Sequence, residues 1–215
     1  FRAAKLIKAG SDIVFQLHYT PNGKDVVDRP RVGFTVAKAP AERNYVTIVT
    51  SASSDAKSFA IPPRAANWES PPMEAEFLTD AELVSMFPHM HMRGKDMTYQ
   101  LIYPNGETQT LLSVPRYDFN WQMGYDVAQP IQVPKGTRIV VNAHFDNSAN
   151  NKFNPDPEQT VYYGDMTWEE MMTPFISVTV APGVDTRQVI RVLRGEQRRG
   201  GGVSLSSLLG PRSTC

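Results

Sequence analysis

Residues 96–114 read DMTYQLIYPNGETQTLLSV. Two runs, Asp96–Tyr103 and Thr110–Val114, are joined through Tyr103-Pro104-Asn105-Gly106. Proline presets a turn's φ, and Asn-Gly tolerates the left-handed backbone that a tight reversal needs. Met97, Tyr99 and Leu101 alternate with Thr98 and Gln100 in the first run, the period of two expected of a half-buried strand. The stretch therefore reads as a β-hairpin.

The same punctuation runs through the rest of the chain, with 17 Pro and 14 Gly in 215 residues. Short β-rich runs lie between them: Asp12–Thr20, Arg31–Val36, Tyr45–Thr50, Gly136–Phe145 and Thr173–Val180. Thr20-Pro21-Asn22-Gly23 repeats the reversal signal. Only Asp80–Met86 and Asp185–Arg194 look helical. Many short strands at this spacing predict an all-β sandwich or barrel. The Pro-rich segment 61–72 suits a linker or crossover. After Val180 the pattern decays, and 183–215 reads as a poorly ordered tail.

Lys plus Arg equals Asp plus Glu at 22 each, which gives no bulk charge for binding nucleic acid. Arginines concentrate after residue 183, which leaves the body mildly acidic. The single cysteine, Cys215, excludes an internal disulfide and leaves the redox compartment open. No apolar run approaches the length of a membrane span. There is no Gly-rich phosphate loop and no Gly-x-Ser-x-Gly elbow.

Four histidines remain as candidates for chemistry. Two of them fall together in FPHMHMRGKDM, residues 87–97. On an extended chain residues i and i+2 share a face, so His89 and His91 can clamp one metal while Met90 and Met92 point away. His18 and His144 fall opposite the apolar faces of their runs (Ile13, Phe15, Leu17, Tyr19 and Ile139, Val141, Ala143, Phe145). Met171 falls opposite Met172, Ile176, Val178 and Val180. Two imidazoles with a thioether suit copper, above all Cu(I). Three imidazoles, with His144 as the third, suit zinc with an open position, and a hydrolase or hydratase. Spacing alone leaves both open. The loop 146–157 (DNSANNKFNPDP) reads as a structured loop built on Asx and Ser turns. YDFNWQMGY, 117–125, reads as a core strand with a polar edge, or as the lining of a pocket.

From about Ile7 to Val180 the chain resembles the copper type II, ascorbate-dependent monooxygenases, the group of peptidylglycine α-hydroxylating and dopamine β-monooxygenases, and especially their bacterial relatives. Gln16-Leu17-His18-Tyr19 resembles the strand that bears the third histidine of the electron-transfer copper. His89-Met90-His91, followed by Arg93-Gly94-Lys95, resembles the oxygen site's His-x-His. Glu169-Glu170-Met171 resembles the acidic segment that ends in the thioether ligand. The resemblance implies two jelly-roll β-sandwiches: the end of one over 1–70 and a complete one over 71–182. It implies copper, two ions per complete enzyme, held here by His89, His91 and Met171, with His18 a partial ligand set for the second. Ascorbate, O2 and a small-molecule substrate would be its partners, in an extracytoplasmic (periplasmic or secreted) setting.

The family's His-His pair lies upstream of the third histidine, and nothing before His18 supplies it. The resemblance thus implies an N-terminally truncated member lacking an upstream segment with further ligands. A non-catalytic copper-binding sandwich is the alternative. Phe87 and Phe175 stand where the peptide-processing members carry an Arg and a Tyr that contact substrate, so peptidylglycine is a poor substrate guess.

Overall fold

A computed structural model describes residues 2–51 and 58–193. Its described residues form strands and no helix. In chain order these are β1 (Ala3–Ala4), β2 (Arg43–Val49), β3 (Ala60–Ile61), β4 (Trp68–Glu69), β5 (Met73–Phe77), β6 (Ala81–Phe87), β7 (Gly94–Ile102), β8 (Thr108–Val114), β9 (Tyr125–Val133), β10 (Arg138–Phe145), β11 (Val161–Tyr162), β12 (Phe175–Val180) and β13 (Ile190–Val192). One five-stranded sheet runs β1-β2-β12-β6-β9. A six-stranded sheet runs β13-β5-β10-β7-β8, with β4 also on β10, and β11 pairs with β3. All the ladders are antiparallel except β1 with β2.

The 96–114 hairpin forms as read. β7 and β8 pair from Met97↔Val114 to Ile102↔Thr108. Gly106 sits at φ 86°, its N–H donating to the Tyr103 carbonyl at 2.9 Å. Period-two alternation then builds one core between the sheets. Met97, Tyr99 and Leu101 of β7 and Ile139, Val141, Ala143 and Phe145 of β10 face Leu83 and Met86 of β6 and Ile176, Val178 and Val180 of β12 in a single buried cluster.

Several expectations differ from what is observed. Ala81–Phe87 is a strand, not a helix, because it lies between β12 and β9 and pairs with both. Within Asp185–Arg194, residues Ile190–Val192 pair with β5, and Val189 is buried. Of the tail expected over 183–215, residues 194–215 lie outside the described residues. Asp12–Thr20 and Arg31–Val36 form no ladder, and Ile13, Phe15, Leu17 and Tyr19 are exposed. The Thr20–Gly23 reversal does turn, with Gly23 at φ 76° and Tyr19 donating to Asp28, but no strand pair follows it. Strand pairing joins segments on either side of residue 70: β2 joins β12, and β4 joins β10. Segment 61–72 is strapped onto the core, with Ser70 N–H donating to the Ala143 carbonyl and Trp68 packed on Phe59 and Phe145.

Candidate metal centre

β6 ends at Phe87, opposite Phe175 of β12. Pro88 follows, and without an N–H it cannot extend the ladder. His89-Met90-His91 therefore lies between β6 and β7 rather than on a strand, yet it keeps the strand's alternation. Thr173 N–H donates to the His89 carbonyl at 3.0 Å, which holds the stretch beside the approach to β12. Met90 turns into the core. His89 and His91 share the other side, their ring centroids 5.2 Å apart and their planes at 82°. The chain then folds back sharply at Gly94. A Cβ there would meet the Met90 Cβ at 2.7 Å and Tyr117 Cδ1 at 2.8 Å, so only glycine allows this return onto β7.

A buried carboxylate organises the loop. Glu170 Oε1 accepts from the Arg93 N–H at 2.5 Å, and Oε2 accepts from the His91 N–H at 2.9 Å and the Met171 N–H at 3.3 Å. Burial pushes its carboxyl up to about 8, while these N–H donors and the Arg93 guanidinium pull the other way. Every one of these partners is a donor, so the ionised carboxylate is the form that satisfies them. Arg93 is itself only 2% exposed, with Nε donating to Asn147 Oδ1 (2.9 Å) and a terminal nitrogen to the Trp168 carbonyl (2.8 Å). Asn147 belongs to the Asx-rich loop, which forms the expected side-chain-to-backbone turns at Asp146, Asn151, Asn154 and Asp156. Asn151 reaches over to the Met92 carbonyl at 3.1 Å.

Each imidazole is anchored at Nδ1. His89 Nδ1 lies 2.7 Å from Gln122 Oε1, and His91 Nδ1 lies 3.2 Å from the Glu169 carbonyl. Burial lowers the pKa of both. The His91 shift is reinforced by His89 and opposed by the Glu169 and Met166 carbonyls. The His89 shift is opposed by Gln122 and reinforced by His18, which is close enough to add like-charge repulsion. His89 also meets Phe87 in a stacked contact (6.5 Å) and Phe175 edge-on (6.3 Å), and Phe119 stands edge-on to His91 at 6.2 Å.

Of the predicted site residues, His89, His91, Phe87 and Phe175 are thus brought together, and the Met171 backbone N–H shares one Glu170 oxygen with the His91 N–H. His18 is exposed, and its one link to the pair is like-charge repulsion on His89. His144 does not join them. It sits on β10 opposite Asp96 of β7, its Nδ1 2.7 Å from Asp96 Oδ1. Among the described residues no three His, Cys, Asp or Glu side chains are grouped to hold a metal, so the zinc set of His89, His91 and His144 is not formed.

Residues 117–125 supply what sequence reasoning missed. They begin as a loop, not a core strand, and Trp121 is exposed. Tyr117 clamps Met90 at both ends: its hydroxyl accepts from the Met90 N–H at 3.0 Å and donates to the Met90 carbonyl at 2.5 Å. The density of aromatics in YDFNWQMGY was the available signal.

Comparison with known proteins supplies the family. No curated protein matches the chain. Among solved structures the chain is similar to one entitled "Structure of infectious bursal disease virus Gx strain", at 12% identity and a TM-score of 0.31. That match covers 75% of this chain and 40% of the viral one. The family model described as copper type II ascorbate-dependent monooxygenase, C-terminal domain, matches residues 46–179. This span runs from β2 to β12 and includes both imidazoles and Met171. The chain belongs to the copper type II ascorbate-dependent monooxygenase family, through that C-terminal domain.

Proposed function

We propose that this chain is the oxygen-activating part of a copper monooxygenase, with His89, His91 and Met171 holding the ion. The observation that carries this reading is the pair of facing imidazoles, tied through one carboxylate to the Met171 backbone. The donor set fits copper. Two neutral imidazoles offer lone pairs, and a thioether is a soft donor that favours the reduced ion. Held there, copper would supply the one-electron redox chemistry for O2 activation and C–H hydroxylation, with ascorbate as the electron donor.

The chain's own residues do the rest. Burial holds both imidazoles in the neutral form at neutral pH, so protons compete little for their lone pairs. Phe87 and Phe175 set apolar rings beside His89 and offer a substrate carboxylate no cation. The reading therefore favours a small molecule with an aliphatic or benzylic C–H. We assign His18 to the second, electron-transferring copper. With His89 and His91 given to the first ion, only His144 is left of the chain's four histidines, and it lies on β10 against Asp96. That shortage is the observation behind a second reading, in which this chain alone binds copper without turnover. An extracytoplasmic setting follows from the family resemblance, and no described helix is long and apolar enough to cross a membrane.

Loading with Cu(II) and recording electron paramagnetic resonance tests the site. The reading expects a type II signal that is lost in His89→Ala and altered in Met171→Ile after a redox cycle. No copper uptake, or zinc bound far more tightly, would overturn it. Turnover of candidate substrates with ascorbate then separates enzyme from binder.

A further inference from the structure

We propose that Gln122 is a positioning residue that fixes His89 as its Nδ1–H tautomer, so that Nε2 is the nitrogen His89 presents to a metal. The two ends of a glutamine amide differ in role, and here a neighbour decides between them. Gln122 Nε2 lies 2.9 Å from the Phe119 carbonyl, which can only accept. The NH2 group must therefore face Phe119, leaving Oε1 for His89. Oε1 lies 2.7 Å from His89 Nδ1 and also can only accept, so the proton must sit on Nδ1. The other tautomer would set two lone pairs against each other at that distance.

The same loop braces the second imidazole, since the Phe119 ring stands against His91. His91 needs no side chain for its tautomer, because the Glu169 carbonyl accepts at its Nδ1. The two histidines are thus set alike by different means: one by the backbone, one by a side chain that can be replaced. Groups that accept from the far nitrogen of a ligating imidazole fix its orientation and raise its basicity. Gln122 is half-buried beside the His89 ring.

The inference rests on the copper reading only for its second readout. In the metal-free full chain, long-range 1H–15N correlation spectra of labelled histidines report tautomers directly. His89 of the wild type is expected as Nδ1–H. Gln122→Leu should move it toward Nε2–H, Gln122→Glu should keep it, and His91 should stay unchanged in both. Cu(II) affinity by chelator competition should fall about 10–100-fold in Gln122→Leu and return in Gln122→Glu. An Nε2–H His89 in the wild type overturns the proposal, and so does a Gln122→Leu spectrum with its tautomer unmoved. An affinity loss that Gln122→Glu fails to restore overturns it as well. If Gln122→Leu does not fold, the wild-type tautomer together with that of Gln122→Glu decides. A wild type that takes up no copper defeats the copper reading, while the spectra still judge Gln122.

Discussion

His89 and His91 both titrate below the ordinary imidazole value of 6.5, because burial penalises the cation. The unfolded chain then binds more protons than the folded one just below pH 6.5. By linkage, the pair contributes stability that is present above 6.5 and lost as pH falls through the lowered folded values. Glu170 is pulled both ways: burial pushes its carboxyl up to about 8, while its three N–H donors and the Arg93 guanidinium favour the ionised form. Titrating the metal-free protein and following the imidazole C–H resonances should put both histidine midpoints below 6.5. A midpoint at or above 6.5 for either ring would mean that it is solvated in solution. Much of this site was legible in the sequence. Two residues of spacing put both rings on one side even though Pro88 had ended the strand. Glu170, Tyr117 and Gln122 were not legible as its scaffold. Their partners are backbone groups or rings that lie, in Glu170's case, 77 and 79 residues away. No local pattern encodes such pairings.

At the scale of the element, β6 shows where local signals misled. Asp80 ahead of Ala-Glu-Leu looks like an N-cap before good helix formers. In the fold Asp80 instead accepts from the Lys135 N–H at 2.7 Å, across the turn between β9 and β10. Glu82 turns to Thr179 (3.1 Å) and Arg43 (3.2 Å) on the same sheet. Pairing on both edges outweighs a propensity of a few tenths of a kcal/mol per residue. Leu83 is the most deeply buried core residue of this strand. Leu83→Ala should cost about 2–5 kcal/mol in urea unfolding, the range for a buried leucine whose cavity collapses only in part. A loss below about 1 kcal/mol would place the side chain at a surface and reopen the helical reading. The 96–114 hairpin was legible by contrast, because its turn chemistry and its alternation pointed the same way.

For the whole molecule, the two sheets and their core are built, apart from the two-residue β1, from residues 43–192, while most of residues 5–40 lies outside them. Asp12–Thr20 has a strand's alternation without a strand's partner, so the sequence could show the pattern but not what covers it. Phe15, Tyr19, Val27 and Phe34 remain exposed. What ties this segment to the sandwich is slight. There are the two-residue β1, one bond from the Arg43 N–H to the Arg2 carbonyl (3.1 Å), Lys5 on Thr47, and an Arg2–Glu82 ion pair at 3.0 Å whose arginine is 60% exposed. Exposed pairs of this kind contribute about 0–1 kcal/mol, and Glu82 keeps Arg43 and Thr179 without Arg2. Removing residues 1–41 should therefore change the unfolding free energy by less than about 2 kcal/mol on that count. It should also leave the urea m-value nearly unchanged, since m follows the surface newly exposed on unfolding and this segment's surface is already exposed. The shortened chain should also be the less prone to self-association, having lost an apolar surface that stands exposed among the described residues. A marked fall in m on truncation would show that residues 5–40 pack against the sandwich in solution, and that the apolar face of Asp12–Thr20 has found a partner there.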